Sequence, residues 1–234
     1  MVKTAVILAG GFGTRLQSLV NDVPKPMAPI NNRPFLEFQL DYWIQEGITN
    51  FILSVGYLKD SIINHFGRNY KSAKIDYIIE SQPLGTGGGL LFSTSKLDET
   101  FLVLNGDTFI EVDLDSFYNF HIKSESNWTL ALFKTNDYKR FLTLDVSQNG
   151  EILSLQSKQK ISSGLANGGV YLLNPATLKR LDFHSGDSVS LENELLPNYL
   201  KNGGKLFGQE CSGKFIDIGL PNDYLRAKDI LPNG

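Results

Sequence analysis

The chain reads as an α/β protein built on a mixed, mainly parallel central sheet, with a smaller antiparallel region in its second half. Three observations predict this. An apolar run, Thr4-Ala5-Val6-Ile7-Leu8, has the character of a buried strand and ends in a glycine-rich loop. Strand-like and helix-like stretches then alternate through the first half, the pattern of right-handed parallel crossovers. In the second half, short strand-like runs flank an Asn-Gly turn, the mark of antiparallel pairing.

In order, Val2 to Leu8 is the first strand, and the loop LAGGFGTRL from Leu8 to Leu16 follows it. Gly10, Gly11 and Gly13 let backbone approach a ligand without a Cβ in the way. Successive N–H groups above a helix N-terminus attract anionic oxygens, and the charged planar fork of Arg15, after Thr14, suits phosphate. The loop lacks the Gly-Lys-Ser/Thr of a P-loop, and Leu16 stands where the G-x-G-x-x-G fingerprint needs its third glycine. From the glycines alone, a polyphosphate site and an ordinary strand-to-helix turn both remain open.

The prolines of Pro24-Lys25-Pro26 exclude a helix interior and predict an extended, rigid segment for Lys25. That lysine is either a solvated surface group or a neutraliser of phosphate charge. Apolar spacing from Phe35 to Gln45 predicts an amphipathic helix, stopped by Gly47. Phe51 to Val55 is a second strand, Lys59 to Phe66 a helix whose His65 reads as a surface or interfacial histidine rather than a ligand, and Ile75 to Ile79 a third strand. Glu80 to Gly89 reads as a flexible, glycine-rich turn before a helix from Leu90 to Ser95. Phe101 to Leu104 is another strand. It ends in Asn105-Gly106-Asp107, where Asp107 either faces the crevice at the strand's end or serves a turn. Glu111, Asp113 and Asp115 fit a loop and a helix N-terminus.

Trp128 to Phe133 is a strand, and Leu142 to Val146 with Ile152 to Leu155 form a hairpin around Gln148-Asn149-Gly150. In Ala166 to Leu173, Gly168 and Gly169 mark either a bulge or a close approach to a ligand, with Asn167 beside them. Ser190 caps a helix that reaches Leu200. Glu192 in its first turn either complements the helix dipole or accepts hydrogen bonds from a ligand. Asp217 lies within the apolar strand Phe215 to Ile218 and needs a partner, because an unpaired buried carboxylate is costly. A last helix runs from Asn222 to Leu231.

Two motif groups carry a resemblance. LAGGFGTRL followed by Pro24-Lys25-Pro26-Met27 resembles the signature of the sugar-1-phosphate nucleotidyltransferases, or nucleotide-sugar pyrophosphorylases. Ser190-Leu191-Glu192-Asn193-Glu194 and Asp217-Ile218-Gly219-Leu220-Pro221 resemble the short mannose- and heptose-1-phosphate guanylyltransferases within that family. The resemblance implies a Rossmann-like three-layer α/β/α fold. It implies a reaction joining a nucleoside triphosphate, GTP, to a sugar 1-phosphate, D-glycero-D-manno-heptose 1-phosphate, with release of pyrophosphate.

By the same resemblance Leu8, Ala9, Gly10, Gly11, Gly13, Thr14, Arg15, Lys25, Gln82, Gly85, Thr86, Gly106 and Asp107 bind the nucleotide, Gln82 as a buried amide reading the base. Asp107 and Asp217 hold Mg²⁺, while Arg15 and Lys25 stabilise the triphosphate. Lys158, Asn167, Gly168 and Glu192 meet the sugar phosphate. The chain departs from the pattern at Leu142, where relatives carry glycine, and at Ser157, where they carry glutamate. Another base or sugar, and a non-catalytic nucleotide-sugar sensor, are the competing readings.

Composition bounds these expectations. The chain has 234 residues, is 41% hydrophobic and 20% charged, and carries a net charge of −3. That fits a folded protein without a general basic field for nucleic acid. The single cysteine, Cys211, allows no intrachain disulfide and reads as a buried structural thiol. No apolar run approaches the ~20 residues of a membrane span. The expectation is one soluble cytoplasmic domain over 1–234, with 1–125 mainly on the nucleotide side and 126–234 mainly on the sugar side. It binds no nucleic acid or membrane, has no room for the C-terminal β-helix of longer relatives, and is compatible with a homo-oligomer.

Overall fold

The computed structural model describes residues 1–11, 13, 16, 20, 22–94, 97–138, 140–156 and 163–232. In chain order the elements are β1 (Thr4–Ala9), a small ribbon of β2 (Pro29–Ile30) and β3 (Arg33–Pro34), α1 (Phe35–Gln45), β4 (Asn50–Val55) and α2 (Lys59–Phe66). Then come β5 (Asn69–Tyr70), β6 (Ala73–Ile79), α3 (Gly85–Ser93), β7 (Phe101–Asn105), β8 (Thr108–Ile110) and α4 (Leu114–Lys123). The second half holds β9 (Trp128–Thr135), β10 (Thr143–Val146), β11 (Ile152–Ser154), β12 (Gly164–Leu173), α5 (Leu196–Lys201), β13 (Phe207–Glu210), β14 (Phe215–Asp217) and α6 (Pro221–Ile230).

Ten strands form one mixed sheet along the path β11-β10-β12-β7-β1-β4-β6-β5, with β9 joining β12 and β13. The predicted parallel unit is β7-β1-β4-β6, and β12 attaches to it antiparallel at β7. Alternation along β1 sorts the core. Ala5, Ile7 and Ala9 face the apolar stripes of α1, α2 and α4, whereas Val6 and Leu8 face those of α3 and α5. Helices therefore cover both faces, as an apolar parallel sheet requires.

Two expectations about local structure change. Residues from Gly85 onward are helical rather than a flexible turn. Gly87 and Gly88 donate their N–H groups to the Val189 carbonyl at 2.8 and 3.0 Å, and a Cβ on Gly87 would come within 3.0 Å of that backbone. Close backbone packing outweighs the roughly 1 kcal/mol that glycine costs a helix. Lys25 is not extended: it opens a 3₁₀ turn, Lys25–Met27, with Pro26 at a position where a helix start tolerates proline.

The strand β12 bends where it changes neighbours. Its first part pairs with β10 and its last with β7, while β9 lies along the other edge with a register shift between Asn167 and Tyr171. Gly169 takes φ +76° at the bend, and a Cβ there would overlap the Thr108 hydroxyl. At the C-terminal helices, Ser190 accepts a hydrogen bond from the Asn193 amide, as expected of a cap. The Ser190 amide donates the reciprocal bond to the Glu194 carboxylate rather than to Asn193, because the first turn, Leu191–Leu195, is a wider π-turn. Among the described residues no helix is long and apolar enough to cross a membrane. Cys211 is partly buried, and burial pushes its thiol up to about 11, away from reactivity.

His121 on α4 is buried at 2% exposure, with Nδ1 2.7 Å from the Thr129 hydroxyl. Burial holds its pKa down at about 4, against an ordinary 6.5. The unfolded chain takes up this proton near pH 6.5, and the native state resists it until about pH 4. Stability is thus full above that window and falls as pH drops through it. Urea unfolding across pH 4–7 should show His121→Gln losing on the order of 2 kcal/mol less than the parent chain. Parallel pH profiles would contradict this origin.

Candidate active site

The carboxyl ends of β1, β6 and β7 converge, as the parallel topology demands. A cleft of about 330 Å³ opens there. Of the residues expected at a nucleotide, Leu8, Ala9, Gly10, Gly11, Gly13, Lys25, Gly85, Thr86, Gly106 and Asp107 line it. Gln82 does not: it is exposed and lies outside the lining, so the expectation of a buried amide fails. The segment projects outward because α3 begins as early as Gly85 and draws Leu84, rather than Gln82, into the interior. Thr14, Arg15, Ser157 and Lys158 lie outside the described residues.

A second cavity of about 260 Å³ adjoins the first, and Asn105 lines both. Asn167, Glu192 and Asp217 line the second. Gly168 is buried away from it, with its Cβ position 3.0 Å from the Ala131 carbonyl and Ile110; Gly169 lines the cavity instead. Apolar side chains such as Leu130, Leu142, Leu144 and Phe215 form much of its wall.

The two cavities meet at a charge cluster. Antiparallel pairing of β8 with β14 sets Asp217 opposite Thr108, next to Asp107. The Ile218 amide donates to the Asp107 carbonyl at 3.0 Å and locks this register. Lys25, only 9% exposed, pairs with Asp107 at 2.5 Å. Lys25 Nζ and Asp217 Oδ1 lie 2.8 and 2.6 Å from the position a Cβ would take on Gly219, so any larger residue there would have to displace one of these charged groups.

Asp217 has a protein partner that its apolar strand did not reveal. Arg140, between β9 and β10, donates to its carboxylate and its carbonyl, each at 3.3 Å, and pairs with buried Asp223. The guanidinium stacks over Phe141 at 4.6 Å. The Gly219 amide donates to Asp217 Oδ1 at 2.6 Å. A shared metal is therefore not needed to explain a carboxylate in this strand. The donor set still fits a hard divalent cation: two neighbouring carboxylates supply oxygen ligands and leave positions for phosphate and water. Among the described residues no group of three or more His, Cys, Asp or Glu side chains forms a dedicated cage.

Glu192 reaches the crevice rather than only facing its helix dipole. Its carboxylate accepts from the Thr86 hydroxyl at 3.0 Å, the Asn105 amide at 3.1 Å and the Tyr171 hydroxyl at 3.3 Å. Burial and the neighbouring Glu192 hold the Tyr171 phenol far above its ordinary range, so it stays a donor. Glu192 thereby ties the lining of one cavity to that of the other.

Several site residues escaped the reading of the sequence. Gln39 on α1 is 2% exposed and donates its amide to the carbonyls of Asn105 and Thr108 at 2.8 and 2.6 Å, on both sides of Asp107. Within α1 it looked like one polar residue among apolar ones. Arg140 stands in the segment that departs from the family pattern at Leu142, but nothing local to it pointed to a partner for Asp217. Glu80 had a usable signal: it is an acidic residue directly after the parallel strand β6, as Asp107 is one residue further on from the end of β7.

The family model described as "Nucleotidyl transferase" matches residues 4–233. The chain is 41% identical over 222 residues to the D-glycero-alpha-D-manno-heptose 1-phosphate guanylyltransferase of Campylobacter jejuni, covering 94% of this chain and 96% of that protein. It is 38% identical over 226 residues to the enzyme of the same name from Aneurinibacillus thermoaerophilus, covering 96% of each. The crystal structure of HddC from Yersinia pseudotuberculosis complexed with GMP-PN superposes with a TM-score of 0.84 at 34% identity, covering 97% of this chain and 99% of that one.

Gln39→Leu keeps the volume and removes both donors from buried carbonyls, which should cost about 2–4 kcal/mol in urea unfolding. A loss below about 0.5 kcal/mol would mean that the loop around Asp107 does not depend on this amide.

Proposed function

The chain belongs to the nucleotidyl transferase family, and from that premise we propose that it transfers GMP from GTP to D-glycero-D-manno-heptose 1-phosphate, releasing pyrophosphate. The observation that carries this reading is the meeting of two cavities at the Lys25–Asp107–Asp217 cluster. A donor nucleotide in the first cavity and an acceptor in the second would bring their phosphates to that cluster. The heptose and the guanine come from the names of the similar enzymes and from the HddC complex. In this reading 1–125 mainly holds the nucleotide and 126–234 mainly the sugar phosphate, within one domain.

An oxygen of the sugar phosphate attacks the α-phosphorus in line. The new P–O bond forms as the bond from the α-phosphorus to the bridging oxygen breaks, and pyrophosphate leaves with that electron pair. The attacking oxygen is already ionised, so no strong general base is required. Catalysis then rests on positioning and charge neutralisation. Lys25 stands at the cluster beside Asp107, and its ammonium neutralises charge on the triphosphate. Arg15 and Lys158 would add cations at the triphosphate and the acceptor phosphate. Asn167 and the apolar wall near Leu142 would orient the sugar. Asp107 and Asp217 would hold Mg²⁺, which when bound neutralises phosphate charge and templates the two substrates.

The direct test is pyrophosphate release, with Mg²⁺, across a matrix of nucleoside triphosphates and sugar 1-phosphates. GTP with the heptose 1-phosphate should show the highest kcat/KM; signal confined to another pair would keep the reaction and correct the substrates. A folded protein that binds nucleotide and stays silent throughout would favour a sensing role. Asp217→Asn should lower kcat at least about 100-fold in a protein that still folds. Near-normal turnover in that variant would remove Asp217 from the metal site.

A further inference from the structure

Two cations of the charge cluster are held differently. Lys25 is tied to Asp107, whereas Arg140 is divided between two carboxylates. Its Nη2 donates to Asp217 Oδ2 at 3.3 Å, and its Nη1 pairs with Asp223 Oδ2. Asp223 sits in the first turn of α6, where an acidic residue ordinarily complements the helix dipole from the surface. Here it turns inward and is only 6% exposed. Its other partner, Arg226 at 3.5 Å, has a side chain 68% exposed, and such a pair contributes little. Asp223 therefore depends on Arg140, because a buried carboxylate without a well-paired cation is costly.

Sharing limits what Arg140 gives to Asp217. Charge-assisted N–H···O contacts to carboxylates typically measure about 2.7–2.9 Å. Both contacts from Nη2 to Asp217 are longer, at 3.3 Å. Nε is buried and has no hydrogen-bond partner among the described residues, so the terminal nitrogens and the stack on Phe141 hold the guanidinium. There is space on both sides of it. Arg140 lines the second cavity and also a smaller one of about 210 Å³ that Asp217, Asp223 and Arg226 share. A cation that draws nearer to Asp217 occupies lone pairs and cancels charge that a divalent ion would use. A cation held back by Asp223 still helps to orient the carboxylate, together with the Gly219 amide on Oδ1, and leaves more of its charge available.

We propose that Arg140 is a positioning residue whose division between Asp217 and Asp223 sets the divalent-cation affinity of the cluster, with Asp223 holding the guanidinium back from the metal carboxylate. The proposal rests on the reading of Asp217 as a ligand of Mg²⁺. Asp223 lines neither of the two substrate cavities, so it acts on the metal site through Arg140. The C-terminal helix thereby becomes part of the control of that site.

The test titrates Mn²⁺ into the nucleotide-free protein, read by loss of the free-ion EPR signal, alongside the KM for Mg²⁺ in pyrophosphate release. Asp223→Asn, nearly isosteric, lets Arg140 turn wholly to Asp217. It should weaken Mn²⁺ binding about three- to tenfold, within the range of coupling between neighbouring groups, and raise the KM for Mg²⁺. Arg140→Gln should tighten Mn²⁺ binding by a similar factor yet lower kcat about tenfold, because Asp217 loses its orientation. Shifts of opposite sign separate this role from a merely structural one, which would lower the unfolding midpoint of both variants and leave the Kd alone. Adding Asp223→Asn to Arg140→Gln should leave the Kd where Arg140→Gln puts it. If Arg140→Gln does not fold by itself, the double variant relieves its unpaired carboxylate and must still bind Mn²⁺ more tightly than Asp223→Asn. An unchanged Kd in Asp223→Asn, or a loss of equal size with and without Arg140, overturns the proposal. Asp217→Asn separates the two readings. If it binds Mn²⁺ as the parent does, the assignment of Asp217 to the metal falls and the proposal with it. If it loses Mn²⁺ while Asp223→Asn binds as the parent does, only the role of Asp223 falls.

Discussion

Two carboxylates from opposite halves of the chain, Asp107 and Asp217, are held together by the pairing of two three-residue strands, β8 and β14. Like charges brought close in a partly buried crevice repel, and each needs compensation. Lys25 compensates one and Arg140 the other. Those two cations arrive from separate parts of the fold, the turn after the glycine loop and the connection from β9 to β10. The arrangement therefore exists only when both halves of the sheet are in place. Gln39 and the Ile218 amide hold the same loop from two further directions.

Around this cluster, the sheet makes a crevice with two compartments. The parallel strands β1, β6 and β7 end together and form the first. The bend in β12 at Gly169, where the strand leaves β10 and meets β7, opens the second. Glu192 spans the boundary through Thr86, Asn105 and Tyr171. A change in one lining is thus felt in the other through a hydrogen-bonded network rather than through a hinge. The combination suits a reaction in which two anionic substrates must meet without a covalent enzyme intermediate.

Elements with strong periodicity were legible before the structure. Apolar spacing placed α1 at Phe35–Gln45 with the observed bounds, and α2 was expected around Lys59 to Phe66, where it lies. The hairpin of β10 and β11 followed from Asn149-Gly150. Propensity misled where backbone packing decides: glycines that suggested a flexible turn begin α3, because a neighbouring carbonyl fills the space of their missing side chains. Proline misled at Lys25 for a related reason, since it disfavours a helix interior but not the start of a 3₁₀ turn.

The sequence by itself determined the mainly parallel sheet and the place of the crevice. Apolar runs, helical periodicity and the glycine loop are local, and a parallel sheet places ligands at its carboxyl ends whatever its details. It also marked Asp217, inside an apolar strand, as a carboxylate in need of a partner. Only the tertiary structure decided how Asp107 and Asp217 are compensated, where the two cavities meet, and that Glu80 rather than Gln82 lines the first of them. These depend on contacts between residues far apart in the chain, on strand register and on the room a glycine leaves. No local pattern encodes them, because the energy that selects them comes from packing and charge compensation across the assembled sheet.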